Sequence, residues 1–286
     1  MHVACAYFCR VSAITRPAEL FVSTSVFTAF CALGLCLATE RLLAPCVLPI
    51  FSALHMVIFG STLAVYNLPR LLPRPYGELR KPQPLRPAYI FFFICGIAML
   101  LPGIMLLGTR VMTVCAILGM LAFAYFIPSL PFRKKRLRDF GLLKIVVLTG
   151  VWTATTALLP MLYLNAPIAH YPFELLLRYV FVFALCILFD IRDMETDNSR
   201  NIATLPNRIG VDKAYKLTYL AMVVFVLLSG FQYLRFHDGG RLLAAIATAL
   251  ATAFVTDYVR RHPGHNNFVA MTDGMMLLYT ILVLMQ

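Results

Sequence analysis

The stretch AYIFFFICGIAMLLPGIMLLG, positions 88–108, contains no charged residue. About 20 predominantly apolar residues in an α-helix span the hydrocarbon core of a bilayer. Lipid offers no hydrogen-bond partner to backbone N–H and C=O groups, so such a segment crosses as a helix. The stretch predicts a transmembrane helix.

Working outward, apolar runs of the same kind fall near 20–39, 43–65, 111–131, 143–164, 173–191, 214–233, 241–258 and 268–285. The expected architecture is an all-α, polytopic membrane bundle of about nine transmembrane helices, forming a single domain over residues 1–286. Composition agrees, with 60% of residues hydrophobic and 13% charged, against about 25% charged in soluble domains. Pro49, Pro102 and Pro160 lie inside runs and are expected to mark kinks. The eight cysteines form no CxxC pair and read as free thiols, most of them within apolar runs. Arg10 and Arg16 precede the first run as in a signal peptide, but no convincing small-residue cleavage site follows, so that run reads as the first span.

A net charge of +12 raises the question of nucleic acid. The basic residues sit between apolar runs rather than along one amphipathic face, so topology accounts for them and no nucleic-acid partner is expected. Of the 25 Lys and Arg residues, 20 fall at the N-terminus or after the second, fourth, sixth and eighth runs. Arg41, Arg110, Arg178, Arg235 and Arg241 fall on the opposite side. The positive-inside rule then puts the N-terminus in the cytoplasm and the C-terminus outside, in the cytoplasmic membrane if the source is bacterial. The longer connections, 66–87 and 192–213, share the cytoplasmic face, where function is expected.

At the inner end of the sixth run stands Phe189-Asp190-Ile191-Arg192-Asp193-Met194-Glu195-Thr196-Asp197. The i, i+3, i+7 spacing puts Asp190, Asp193 and Asp197 on one face of a continuing helix. Three carboxylates so placed repel one another unless a cation lies among them. Hard oxygen ligands suit Mg²⁺, which combines one or two carboxylates with substrate phosphate oxygens. The competing reading is a solvated helix end whose acids pair with Arg192 or Arg200.

This stretch, followed by Thr204-Leu205-Pro206-Asn207-Arg208-Ile209-Gly210, resembles the second aspartate-rich motif of the UbiA superfamily of intramembrane prenyltransferases, with its DxxxD element and TLPxRxG tail. The resemblance implies a UbiA-like bundle and transfer of an isoprenyl group from its diphosphate to a hydrophobic, commonly aromatic, acceptor. It also implies Mg²⁺ as cofactor, Asp190, Asp193 and Asp197 as catalytic metal ligands, and membrane lipid as the surrounding partner. The first motif departs from the family's NxxxDxxxD. Asn67 is present, but the two aspartates fall on Leu71 and Pro75. Arg70 and Arg74 stand beside those positions, and guanidinium groups bind phosphate directly. Asn67, Arg70, Arg74, Arg133, Lys134 and Arg208 are the expected diphosphate contacts. Snorkelling or topology is the competing role for Arg70, lipid headgroups for the basic cluster at 133–138, and loop bracing for Arg208.

Tyr125 has Ser129 four residues on, where the family's spacing calls for lysine. Asp257 is expected to pair with Arg260 or Arg261, Asp273 to line a cavity or stand as a buried acid, and His55 to be a hydrogen-bonded core residue. A non-catalytic homologue that binds a lipid diphosphate or scaffolds a membrane complex is the alternative function. An ion-coupled transporter is disfavoured because no internal repeat is visible.

Overall fold

The computed structural model describes residues 17–44, 51–72, 85–126, 136–199, 202–262 and 267–286. Among them the chain is entirely helical: α1 (Pro17–Ser23), α2 (Val26–Leu43), α3 (Ala53–Leu71), α4 (Arg86–Met105), α5 (Thr109–Phe126), α6 (Gly141–Tyr163), α7 (Pro172–Arg192), α8 (Met194–Ser199), α9 (Leu205–Ile209), α10 (Val211–Phe236), α11 (Gly239–Arg261) and α12 (Phe268–Leu284). Six of these, α2, α4, α5, α6, α10 and α11, are long and apolar enough to cross a membrane. Helices α3, α7 and α12 occupy the places expected of the second, sixth and ninth spans. The protein is an integral, multi-pass membrane protein.

Local chemistry sets several boundaries differently from the apolar runs. The first run is broken at Ser25, which adopts a left-handed conformation with φ 61°. Hydroxyls of Ser23 and Thr24 both donate to the Leu20 carbonyl, at 3.1 and 2.8 Å, and so close α1 before α2 begins. Helix α3 starts at Ala53, well after the start of the second apolar run. There Ser52 Oγ accepts the His55 N–H at 3.3 Å while His55 Nδ1 accepts the Ser52 N–H at 3.2 Å. This reciprocal cap satisfies two otherwise orphaned donors.

Pro160 lies within α6, just after a π-helical turn at Ala154–Leu158. Proline has no N–H to return to the Thr156 carbonyl four residues earlier. The Thr39 hydroxyl of α2 donates to that carbonyl at 2.9 Å instead. Pro102 remains inside α4, and Pro49 lies outside the described residues.

Helix α12 packs on α2, bringing the end of the chain beside its beginning, and α6, α7, α10, α11 and α12 follow one another around the bundle. At its centre Phe181, Phe225 and Tyr279 form a ring cluster with centroids 5.1–5.7 Å apart. Helices α3 and α4 approach closely through Gly60 and Gly96. A Cβ on Gly60 would lie 2.6 Å from the Gly96 carbonyl oxygen, so only a missing side chain permits the crossing.

Arg178 and Arg241, counted among the outer-side basic residues, are buried rather than loop-exposed. Both bind the fully buried Glu174, at 3.2 and 2.9 Å. Arg178 also donates to the Leu35 carbonyl at 2.8 Å and to Thr39 Oγ1 at 2.9 Å. A buried acid is tolerable only with such partners.

Candidate active site

The ends of α3, α5 and α7 and the starts of α2, α6 and α12 converge at one end of the bundle, around a cavity of about 480 Å³. Its charged lining comprises Asp190, Asp193, Asp197 and Asp273 with Arg70, Arg138, Lys144 and Arg192. The three motif aspartates do reach one cavity.

They are not equivalent there. Helix α7 ends with Asp193 as its C-cap, whose N–H donates to the Phe189 carbonyl at 2.9 Å. Helix α8 restarts at once, and the Asp197 N–H donates to the Asp193 carbonyl at 2.9 Å. This break leaves Asp190 and Asp197 inward, 3% and 7% exposed, and Asp193 with 41% of its side chain exposed. The ammonium of Lys144 bridges the two inward acids, 2.9 Å from Asp190 Oδ1 and 2.8 Å from Asp197 Oδ2. Asp193 holds Arg192 through contacts of 2.8 and 3.2 Å, and the Arg192 guanidinium rests over the Phe189 and Phe268 rings. A cation therefore lies among the acids, but it is supplied by the chain.

In the sequence Lys144 counts only among the 20 basic residues that set the orientation. A lone lysine three residues into an apolar helix was its one visible signal. Gly141 fixes that helix start: its φ is +32°, and a Cβ there would collide with the Ala203 carbonyl of the segment leading into α9. The same approach brings the TLP tail against the root of α6.

The basic contributions are unequal. Arg70, on the last turn of α3, lines the cavity with its guanidinium 4.8 Å from the Tyr89 ring centroid. Arg138 reaches the cavity from a 3-10 turn, Leu137–Asp139. Asp139 shapes that turn by accepting from the Arg136 backbone at 2.8 Å and from its guanidinium at 3.1 and 3.2 Å. Burial pushes the Asp139 carboxyl up, but the Arg136 hydrogen bonds and charge outweigh it, and its pKa lies below the ordinary value.

Two expected diphosphate contacts stand elsewhere. Asn67 is fully buried and outside the cavity lining, its amide donating to the Thr24 and Leu63 carbonyls at 2.8 Å each. Its NH₂ is consumed in tying α3 to the end of α1. Arg208 is also outside the lining and donates to the Ala203 carbonyl at 3.3 Å, which braces its own loop. Arg74, Arg133, Lys134 and Pro75 lie outside the described residues, whereas Leu71 closes α3 with an apolar side chain.

Asp273, near the start of α12, lines the cavity and accepts from Thr28 Oγ1 at 3.0 Å. Asp257 pairs with Arg261 at 2.8 Å, as expected. Beyond Tyr66 and Trp152 lies a second cavity of about 340 Å³, lined mainly by apolar side chains such as Val57, Leu100, Met112 and Leu159. Trp152 Nε1 donates to Tyr66 Oη at 2.9 Å, and both residues line both cavities.

The acids of the first cavity are oxygen donors of the kind Mg²⁺ takes, although Lys144 and Arg192 hold most of their oxygens here. Asp190 Oδ2 is buried without a hydrogen-bond partner among the described residues, and Asp193 faces the same space. Cys36, Glu40 and His55, near the opposite end, also bring ligand atoms within 4.8 Å of one another. Because His55 Nδ1 accepts the Ser52 N–H, its ring proton sits on Nε2 and is donated to Glu40 at 2.8 Å. The imidazole is thereby committed as a hydrogen-bonded core group.

A model of the UbiA prenyltransferase family matches residues 73–281. No curated protein sequence matches the chain at a significant level. In fold the chain is similar to a UbiA homologue from Archaeoglobus fulgidus bound to GPP and Mg²⁺, at 15% identity and a TM-score of 0.63 over 94% of this chain and 100% of that one. It is similar to an apo UbiA homologue from Aeropyrum pernix K1, at 15% identity and a TM-score of 0.59 over 94% and 97%. A digeranylgeranylglyceryl phosphate synthase is also similar, at 13% identity and a TM-score of 0.53 over 93% and 94%.

Proposed function

The chain belongs to the UbiA prenyltransferase family, and from that premise we propose that it moves an isoprenyl group from its diphosphate to a hydrophobic acceptor, an aromatic ring being the expected class. The observation that carries this reading is one cavity combining the motif acids and four basic side chains, next to a second that is almost wholly apolar. The diphosphate belongs in the first and the isoprenyl chain in the second.

Breaking the allylic C–O bond leaves the electron pair on the diphosphate and an allylic cation on the chain. Arg70 and Arg138 offer N–H donors to the departing anion. Asp190, Asp193 and Asp197 fit Mg²⁺, which when bound would neutralise charge on that anion. Tyr66, Tyr125 and Trp152 give the pocket aromatic walls that keep water from the cation and present π faces to it. When an aromatic acceptor forms the new C–C bond, its ring loses a proton. Among the described residues Asp273 is bound to the Thr28 hydroxyl rather than paired with a basic side chain, and it is the carboxylate we assign to receive that proton.

The cavity end is assigned to the cytoplasmic face because 20 of 25 Lys and Arg residues flank that side. Purified protein in lipid, given labelled geranyl or geranylgeranyl diphosphate with Mg²⁺ and an acceptor panel, should release diphosphate. Asp193→Ala and Asp197→Ala should abolish release, whereas Asp273→Asn should slow it and retain diphosphate binding. Tight diphosphate binding with no release across the panel would instead identify a non-catalytic binder, the reading favoured by Leu71 standing where the first motif carries an acid.

A further inference from the structure

We propose that Lys144 holds, in the ligand-free protein, the place that a divalent cation takes once diphosphate binds, so that the empty pocket is closed to metal. This inference rests on the diphosphate site proposed above and specifies the order in which that site fills.

Asp190 and Asp197 are nearly buried, and without a cation they would face each other as unscreened negative charges. The Lys144 ammonium lies within 3 Å of an oxygen of each. It satisfies the requirement for a cation with no ion present. The wider cavity tells the same story: its lining carries four aspartates against Arg70, Arg138, Lys144 and Arg192. With Leu71 in place of a first-motif acid, the described lining is formally neutral before any metal enters. A bare divalent ion would have to displace Lys144 from both carboxylates and add unbalanced positive charge.

A diphosphate reverses that balance by bringing several negative charges into the cavity. Lysine is a compact charge on a flexible four-carbon stem with three N–H donors, so it can turn from carboxylate to phosphate without moving the backbone. The acids it releases, together with Asp190 Oδ2, which already lacks a hydrogen-bond partner among the described residues, then offer oxygen ligands to Mg²⁺. Arg138 lines the same cavity from a different element, and serves as the control for charge alone.

The test is Mn²⁺ binding to the purified full-length protein without substrate, followed by electron paramagnetic resonance of the free ion. Wild type should bind Mn²⁺ weakly, and K144M at least about tenfold more tightly. K144R, which keeps the charge, should stay near wild type, and R138M should gain much less than K144M despite the same charge change. K144Q, whose amide can still donate to the acids, provides a second neutral variant should K144M fail to fold. Tight Mn²⁺ binding by wild type, no gain in either neutral variant, or an equal gain in R138M overturns the proposal. Because no turnover is involved, these outcomes are independent of whether the protein transfers a prenyl group.

Discussion

Asp139 shows how one side chain outside the spans serves the site at a distance. Its bonds to Arg136 hold the turn that carries Arg138 into the cavity. Its carboxyl is held below the ordinary value, so its contribution to folding is fully present above the unfolded-chain value of about 3.9. That contribution is lost as pH falls through the lower folded value. D139N should therefore melt below wild type at neutral pH, and the gap should close on acidification below about pH 4, as followed by thermal denaturation. A gap independent of pH would show that the ionised carboxylate is not the stabilising form. Asn67 teaches the opposite lesson at the same scale. Its motif position marked it for phosphate, but burial in α3 committed its NH₂ to two carbonyls and left only Oδ1 without a partner among the described residues.

Between elements, the α3–α4 crossing is set by glycine. A Cβ on Gly96 would lie 2.8 Å from both the Ala64 nitrogen and the Gly60 oxygen, and neither backbone can yield as a side chain would. G96V should cost about 1–3 kcal/mol through overpacking, read as a lower unfolding temperature in detergent. Because Tyr66 and Arg70 lie in the last two turns of α3, the same change should also weaken diphosphate binding. Unaltered stability and binding would mean that the two helices can separate without disturbing the pocket. The Tyr66–Trp152 hydrogen bond belongs to this scale too, since it joins α3 to α6 between the two cavities. Trp152→Ala should open the partition and shift preference toward longer isoprenyl diphosphates, measured by competition between geranyl and geranylgeranyl diphosphate. An unchanged preference would remove these residues from chain-length selection.

For the bundle as a whole, the buried group Glu174, Arg178 and Arg241 ties α7 to α11 near the end opposite the active site. Removing the acid leaves two guanidinium groups buried without it, and E174A should destabilise the protein by about 3–5 kcal/mol. Thermal unfolding of E174A and of the E174A/R241M pair tests this, and recovery is expected in the double variant. Local pattern was enough to place the chain in a membrane, to find the helices that fill its apolar runs and to mark the acids at the end of α7. Apolar runs and an i, i+3, i+7 spacing are properties of single segments. The partner of those acids was not legible in that way, because Lys144 lies 53 residues from Asp197, and Arg241 lies 67 from Glu174. Spacing along one helix says which side chains share a face, but the helix that this face meets depends on packing throughout the bundle. That packing determined which charges pair, which motif residues reach the cavity, and where an apolar chamber opens beside it.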